Sequence, residues 1–222
     1  FIEDLEKNLK IKAQEIYYFK KDEIIVTNGF TEINIDNKFT IKSEDITFEK
    51  NFGRLSSNQK SFITDEAGNI LESESFKFQL KDETIKAKNV VLRDNEGNTS
   101  FLENFMGNMN SKVFYGKDIK INFDKKIFGN KNNDPRLYGN SIQSDQNYSK
   151  ISKGVFTTCK KNDSCPPWKI QAEEVVHDKK KKIINYKNAW LQIYDKPVIY
   201  FPKFFHPDPT VKRQSGFLIP NI

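Results

Sequence analysis

The stretch IKAQEI, residues 11–16, decides how this chain is read, because variants of it return as IKSEDI (41–46), LESESF (71–76), FYGKDI (114–119) and IQAEEV (170–175). Their starts lie 30, 30, 43 and 56 residues apart. A fixed early period points to one supersecondary unit stacked on copies of itself, with insertions in the later copies. In the first copy the apolar or small residues are Ile11 and Ala13, then Ile16 and Tyr18. The second has Ile41 and Ser43, then Ile46 and Phe48; the third has Leu71 and Ser73, then Phe76 and Phe78. The fourth has Phe114 and Gly116, then Ile119 and Ile121, and the fifth Ile170 and Ala172, then Val175.

Alternation of this kind is the strand signal, since successive side chains point to opposite faces. The phase slips by one residue between places three and six. Such a slip exchanges the two faces, and a bulge or corner restores the buried one. The residue at place three is always small, as a crowded bend requires. Each hexapeptide therefore predicts a strand turning a corner. Acidic residues recur at the bend (Glu15, Asp45, Glu74, Asp118 and Glu174), and a repeated position argues for a structural role.

Polar turns such as KKDE (20–23), LKDE (80–83), DEAGN (65–69), DNEGN (94–98) and HDKKKK (177–182) separate the strands. About ten to fourteen strands are expected by this strand and turn reading, with hardly any helix beyond a short one over residues 2–9. The fold class is all-β: a jelly roll or folded β-solenoid of stacked corner-turning strands, V-shaped, with an apolar interior. That interior is either a closed core that binds nothing or a groove for an acyl chain; periodicity does not separate the two.

Composition agrees with a thin β-layer structure. Only 36% of the 222 residues are hydrophobic, but 13% are aromatic and 19 are Phe. The net charge of +6 suits a solvated basic surface or an anionic partner. No run reaches the roughly 18–20 apolar residues of a membrane-spanning helix. The chain begins at Phe1, which suggests a processed N-terminus. Seven of the eight prolines follow residue 160, so the segment from Lys196 reads as edge strand and connector. His177 beside Asp178 and His206 near Asp208 are too few ligands to predict a metal site. No nucleophile, P-loop or zinc-protease motif occurs, and no cofactor is expected. The basic residues are not interleaved with exposed aromatics as nucleic acid would require. The run of lysines at 179–182 reads as a solvated hairpin tip. Cys159 and Cys165 enclose a short loop and are open to a local disulfide, to bonds outside this chain, or to remaining reduced.

The C-terminal third carries a resemblance. GVFTTC (154–159), WKIQAEEVVHD (168–178) and NAWLQIYDKPVIYFPKFFHPDPTVKRQSGFLIP (188–220) resemble the LptD (OstA) family of lipopolysaccharide-assembly proteins. The resemblance is densest over residues 154–222, while the earlier repeats are similar to OstA-type repeats more loosely. It implies a periplasmic β-jelly roll over residues 1–210, followed by a lead-in (211–222) to the first strand of an outer-membrane β-barrel. It implies no enzyme activity. The implied role is to receive lipopolysaccharide from a periplasmic bridge protein, LptA-like, and to shelter its acyl chains on the way to the barrel; a plug lipoprotein, LptE-like, would bind through that barrel. Cys159 matches a family cysteine that pairs with the barrel, whereas Cys165 departs from the family pattern, so their bonding stays open.

Joined to the repeat, the resemblance names residues. Ile11, Ile16, Tyr18, Ile41, Ile46, Phe48, Phe76, Phe78, Ile119, Ile121, Ile170 and Val175 are expected to line the lipid groove. The first strand edge, through Ile11, Ala13, Glu15 and Tyr17, is expected to accept a strand from the bridge protein. The alternative is a soluble periplasmic bridge or scaffold β-solenoid that binds proteins only, whose mark would be an inner face packed shut. A carbohydrate-active β-solenoid enzyme is the third reading, with only the acidic corners in its favour.

Overall fold

The computed structural model describes residues 1–4, 7–124, 133–160, 166–208 and 211. The chain divides into two compact units, Phe1–Ile121 and Asn122–Ile222. Lead-in residues 212–222 and Cys165 lie outside the described residues.

Eighteen strands are described, more than the ten to fourteen expected, because several corner-turning strands are cut in two at the bend. In the first unit β1 (Ile2–Asp4) precedes the long pair β2 (Leu9–Phe19) and β3 (Ile24–Ile35). Residues 2–4 form this short strand, paired with β2, where a helix was expected; the three-residue ladder supplies backbone partners without a helix nucleus. There follow β4 (Phe39–Glu44), β5 (Thr47–Glu49), β6 (Arg54–Ser57), β7 (Ser61–Asp65), β8 (Ile70–Ser73) and β9 (Ser75–Gln79). The long strands β10 (Thr84–Arg93), β11 (Thr99–Asn108) and β12 (Val113–Asn122) complete the series.

The pairings sort into two antiparallel ladders. In the first layer β1 pairs β2 near Leu9, and β3 pairs β4 over Phe30–Ile35; β4 pairs β7, β7 pairs β8, and β8 pairs the end of β10. In the second layer the start of β3 pairs β5, then β5 pairs β6, β6 pairs β9, and β9 pairs the start of β10. β2, β3, β10 and β11 run through both layers. The sheet is folded along a spine of corners, with the hairpin turns of each layer forming two rims at the opposite side.

The corners lie where the repeat places them. The β2–β3 register shifts between Ala13 and Glu15. Asp45 and Asp118, at place five of their copies, adopt left-handed backbone with φ of 52°, a conformation Asp and Asn tolerate better than most L-residues. In the other three copies the left-handed residue sits on the returning strand. Gly29, Asn89 and Asn188 follow Gln14, Glu74 and Glu173 by 15 residues each, with φ of 75°, 50° and 50°. The bend acids then serve as acceptors: Glu15 and Glu74 take hydrogen bonds from the Asn28 and Asn89 amides, and Asp45 from the Gly29 N–H at 3.0 Å. In the fifth copy Glu173, not Glu174, accepts from Asn188, while Glu174 meets Lys150 at 2.6 Å. The small residues at place three lie beneath the bends. Ser43 is buried and shares a hydroxyl network with Ser57 and Ser61 at 3.1 and 2.7 Å.

The second unit repeats the plan. It contains β13 (Arg136–Ser144), β14 (Tyr148–Ser152), β15 (Val155–Thr157), β16 (Trp168–Asp178), β17 (Ile183–Ile193) and β18 (Lys196–Pro207). β13 pairs β14 with one half and β15 with the other, both pair β16, and β16 pairs β17. Lys153 and Asn188 supply its left-handed corners. β18 carries Pro197, Pro202 and Pro207, and its ladder among the described residues is to β17.

Candidate binding interior

The interior of the first unit is built by the repeated apolar places and by the returning strands. Ile11, Ile33, Ile41 and Ile63 face inward from the first layer, and Ile25, Phe48, Leu55, Phe76, Phe78 and Ile85 from the second. None of these exposes more than 3% of its surface. Near the rims the Phe39 ring of the first layer meets the Phe78 ring of the second, with centroids 5.9 Å apart. The interior over β3–β10 is therefore filled by its own side chains.

Of the twelve residues predicted to line a groove, nine are buried: Ile11, Ile41, Ile46, Phe48, Phe76, Phe78, Ile119, Ile170 and Val175. Ile121 is half-buried. Ile16 is half-buried and Tyr18 is 48% exposed, although both share the inward phase. They lie on the second-layer half of β2, beyond the reach of β1, so the apolar interior comes to the surface there. Tyr18 is held by its hydroxyl, which donates to Glu23 at 2.8 Å, with the Lys50 ammonium 6.0 Å from its ring.

The expected free edge begins later than proposed. Ile11 is paired with Ile2 of β1. The segment Glu15–Phe19 has its described pairing to β3 only. Tyr17 and Phe19 are 50% and 52% exposed beside it. Ala13 is half-buried at the bend. Glu15, fully at the surface, accepts from both Asn28 and Tyr17, which holds its carboxyl below the usual range.

The second unit has an interior of different chemistry. Phe156, Tyr186, Phe204 and His206 are in ring contact there, and Trp168 meets Phe156. The Tyr186 hydroxyl and His206 Nε2 are 2.9 Å apart. Burial pushes the Tyr186 phenol well up and pulls His206 down, favouring the neutral forms of both. His177 Nε2 lies 2.7 Å from Asp208. Among the described residues no group of His, Cys, Asp or Glu is arranged to hold a metal. The outer face of this end is apolar as well, with Trp190 against Tyr200 at 5.0 Å and Phe205 68% exposed.

The lysine run is a hairpin tip between β16 and β17. Lys179 is drawn inward, donating to Ser144 Oγ at 2.9 Å, and burial pulls its ammonium down. Lys180, Lys181 and Lys182 are exposed. Cys159 is half-buried with Sγ 3.6 Å from the Trp168 carbonyl. No helix of the described residues is long and apolar enough to cross a membrane, which says nothing of strands.

Sequence reading missed Ile25, Ile33, Phe39 and Tyr186. Extending the alternation two places upstream of Ile41 reaches Phe39, and following it through each return strand reaches the others.

Fold and interior together define a class: an all-β protein of corner-folded repeats, two apolar-faced layers shut on one another. No family model matches the chain. In sequence it is similar to LPS-assembly protein LptD. It is 35% identical to LptD of Yersinia pestis bv. Antiqua over 80 residues, which is 36% of this chain and 10% of that protein. It is 38% identical to LptD of Sodalis glossinidius over 77 residues, covering 35% and 10%. The chain thus spans about a tenth of the length of these relatives. Among solved structures, LptH, described as the LptA-homologous periplasmic component of the lipopolysaccharide transport device of Pseudomonas aeruginosa, aligns with a TM-score of 0.46 at 11% identity. That alignment covers 52% of this chain and 86% of LptH, a likeness too slight to bear on the fold.

Proposed function

We propose that this chain serves lipopolysaccharide transport and assembly at the outer membrane, as a periplasmic segment whose interior shelters the acyl chains. The observation that carries the reading is the inward apolar phase of the first unit. It continues from strand to strand and comes to the surface at Ile16 and Tyr18. An acyl chain taken into such an interior leaves water at about 0.8 kcal/mol per CH₂. Because the interior is filled, the chain enters only where the layers part. Contacts between the two layers are then exchanged for contacts with the acyl chain, so apolar burial is largely kept. Equivalent places in successive copies favour sliding over deep trapping.

The finer parts of the reading are these. A bridge protein adds a strand at Glu15–Phe19; the exposed aromatics beside that edge support it. Residues 211–222 lead into a barrel, through which a plug lipoprotein would be met. At least one of Cys159 and Cys165 bonds to a cysteine of the barrel in the full protein, a local Cys159–Cys165 bond being the alternative. A shift in mobility on reduction of the full-length protein is expected, and unchanged mobility counts against it.

The test is photo-crosslinking to purified lipopolysaccharide from Ile16, Ile46, Phe76 and Ile119, with outward Lys12 and Lys42 as controls. Capture at the inward set and not at the controls is expected; capture at the controls alone rejects the reading. A protein scaffold that takes no lipid is the second reading. The filled interior over β3–β10 is the observation in its favour, and absence of capture at all inward positions would establish it.

A further inference from the structure

The first unit's two layers are continuous along the corner spine and separate at the rims, so its seam lies between the turns of the two layers. Two ion pairs cross it. Lys38, in the first-layer turn between β3 and β4, meets Glu83 at 3.1 Å, in the second-layer turn between β9 and β10. Asp4, at the end of β1 in the first layer, lies 3.5 Å from Lys50 in the second-layer turn between β5 and β6. Phe39, which follows Lys38 in the chain, carries the ring contact with Phe78. Each lysine has a further acid on its own layer: Asp36 is 3.4 Å from Lys38, and Glu23 is 3.7 Å from Lys50. The Asp4 side chain is 9% exposed; its Oδ1 accepts from the Lys7 N–H at 3.3 Å and its Oδ2 faces the Lys50 ammonium.

We propose that Lys38–Glu83 and Asp4–Lys50 are a latch that holds the seam of the first unit shut beside the aromatic contact, and that its release admits an acyl chain. The proposal rests on the lipid-sheltering reading for what enters, not for the latch itself. Layers joined at a spine open by parting at the rim, and among the described residues these two ion pairs span it there. Their carboxylates hold both ammonium groups above the ordinary lysine range, at Lys50 against the opposing effect of burial. Both lysines also place positive charge at the seam. The phosphate of an amphiphile lodged with its acyl chain inside would compete with Glu83 and Asp4 for them, coupling arrival of the headgroup to opening. Lys38–Glu83 is the more exposed of the two pairs, so its release is thermally accessible and sensitive to salt.

The test uses the full chain with Cys159 and Cys165 replaced by Ser and spin labels at Asn37 and Asp82, in the facing turns. The wild-type pairs should give a narrow distance distribution. Glu83→Lys should lengthen and broaden it, and Lys38→Glu combined with Glu83→Lys should restore it, which also shows that the single variant had not simply unfolded. Asp4→Asn should add to the effect of Glu83→Lys. Capture of lipopolysaccharide by a crosslinker at Ile46 should rise about two- to five-fold when one pair is lost, the size expected of an exposed ion pair, and fall back in the swap. Unchanged distances in both Glu83→Lys and Asp4→Asn overturn the latch. Distances that respond without capture in any variant leave the latch standing and reject the lipid reading.

Discussion

Substituting Gly154 tests the corner packing of the second unit. Gly154 lies between β14 and β15, beside left-handed Lys153, and its carbonyl accepts from the Ala172 N–H at 2.8 Å. A Cβ built there would stand 2.4 Å from Val175 Cγ2 and 3.3 Å from Val175 Cβ. Val175 is 2% exposed, and its branched side chain has little rotamer freedom with which to retreat. Overpacking of this kind costs about 1–3 kcal/mol. The smaller entropy of the unfolded alanine chain returns about 0.4–1 kcal/mol. A net loss of about 1–2 kcal/mol is therefore expected for Gly154→Ala. Val175→Ala removes two buried methyl groups and opens a cavity, for a loss of about 2–3 kcal/mol. In the double variant the new methyl occupies the vacated space, so the combined loss should fall short of additivity by about 1 kcal/mol or more. Both tryptophans of the chain, Trp168 and Trp190, lie in this unit, so their fluorescence during guanidinium denaturation reports its transition alone. Additive losses, or a Gly154→Ala change within about 0.5 kcal/mol of wild type, would refute the close approach.

Three further outcomes follow from the same geometry. Phe78→Ala removes a fully buried ring that touches Phe39 and should cost about 3–5 kcal/mol, read by far-UV circular dichroism during denaturation. Asn89→Ala loses both the hydrogen bond to Glu74 and a side chain suited to φ of 50°, for about 1–2 kcal/mol, whereas Asn89→Gly should be close to neutral; equal losses would remove backbone strain as the cause. Burial pulls the folded His206 below its ordinary value, so the unfolded chain binds the proton more readily. The contribution to stability is full above an unfolded pKa of about 6.5 and is lost as pH falls through the lower folded value. His206→Phe should flatten the loss of second-unit stability between about pH 7 and 5, measured by tryptophan fluorescence; an unchanged slope would assign it elsewhere.

The corner-turning strand was legible because burial at a bend imposes a pattern on single residues. Place one and place six must be apolar, and place three must be small, whatever the rest of the chain does. The acids at the bend were legible as structural for the same reason. Their roles were not. Asp45 itself takes the left-handed conformation, whereas Glu74 supports Asn89, which takes it 15 residues later; that choice depends on which strand carries the surplus residue of the bulge. The strand count was underestimated because a bend that breaks the ladder looks, in sequence, like one that bends it.

The sequence by itself determined an all-β chain with one apolar phase, since period and phase are properties of neighbouring residues along a strand. It determined equally that Ile41, Phe48 and Phe78 point inward. Only the tertiary structure decided that this inward face is filled, that it surfaces at Ile16 and Tyr18, and that the seam runs between Lys38 and Glu83. Those features depend on which layer each half-strand joins and how closely the layers approach. Such distances are set by pairing between residues far apart in the chain, and no local pattern encodes them.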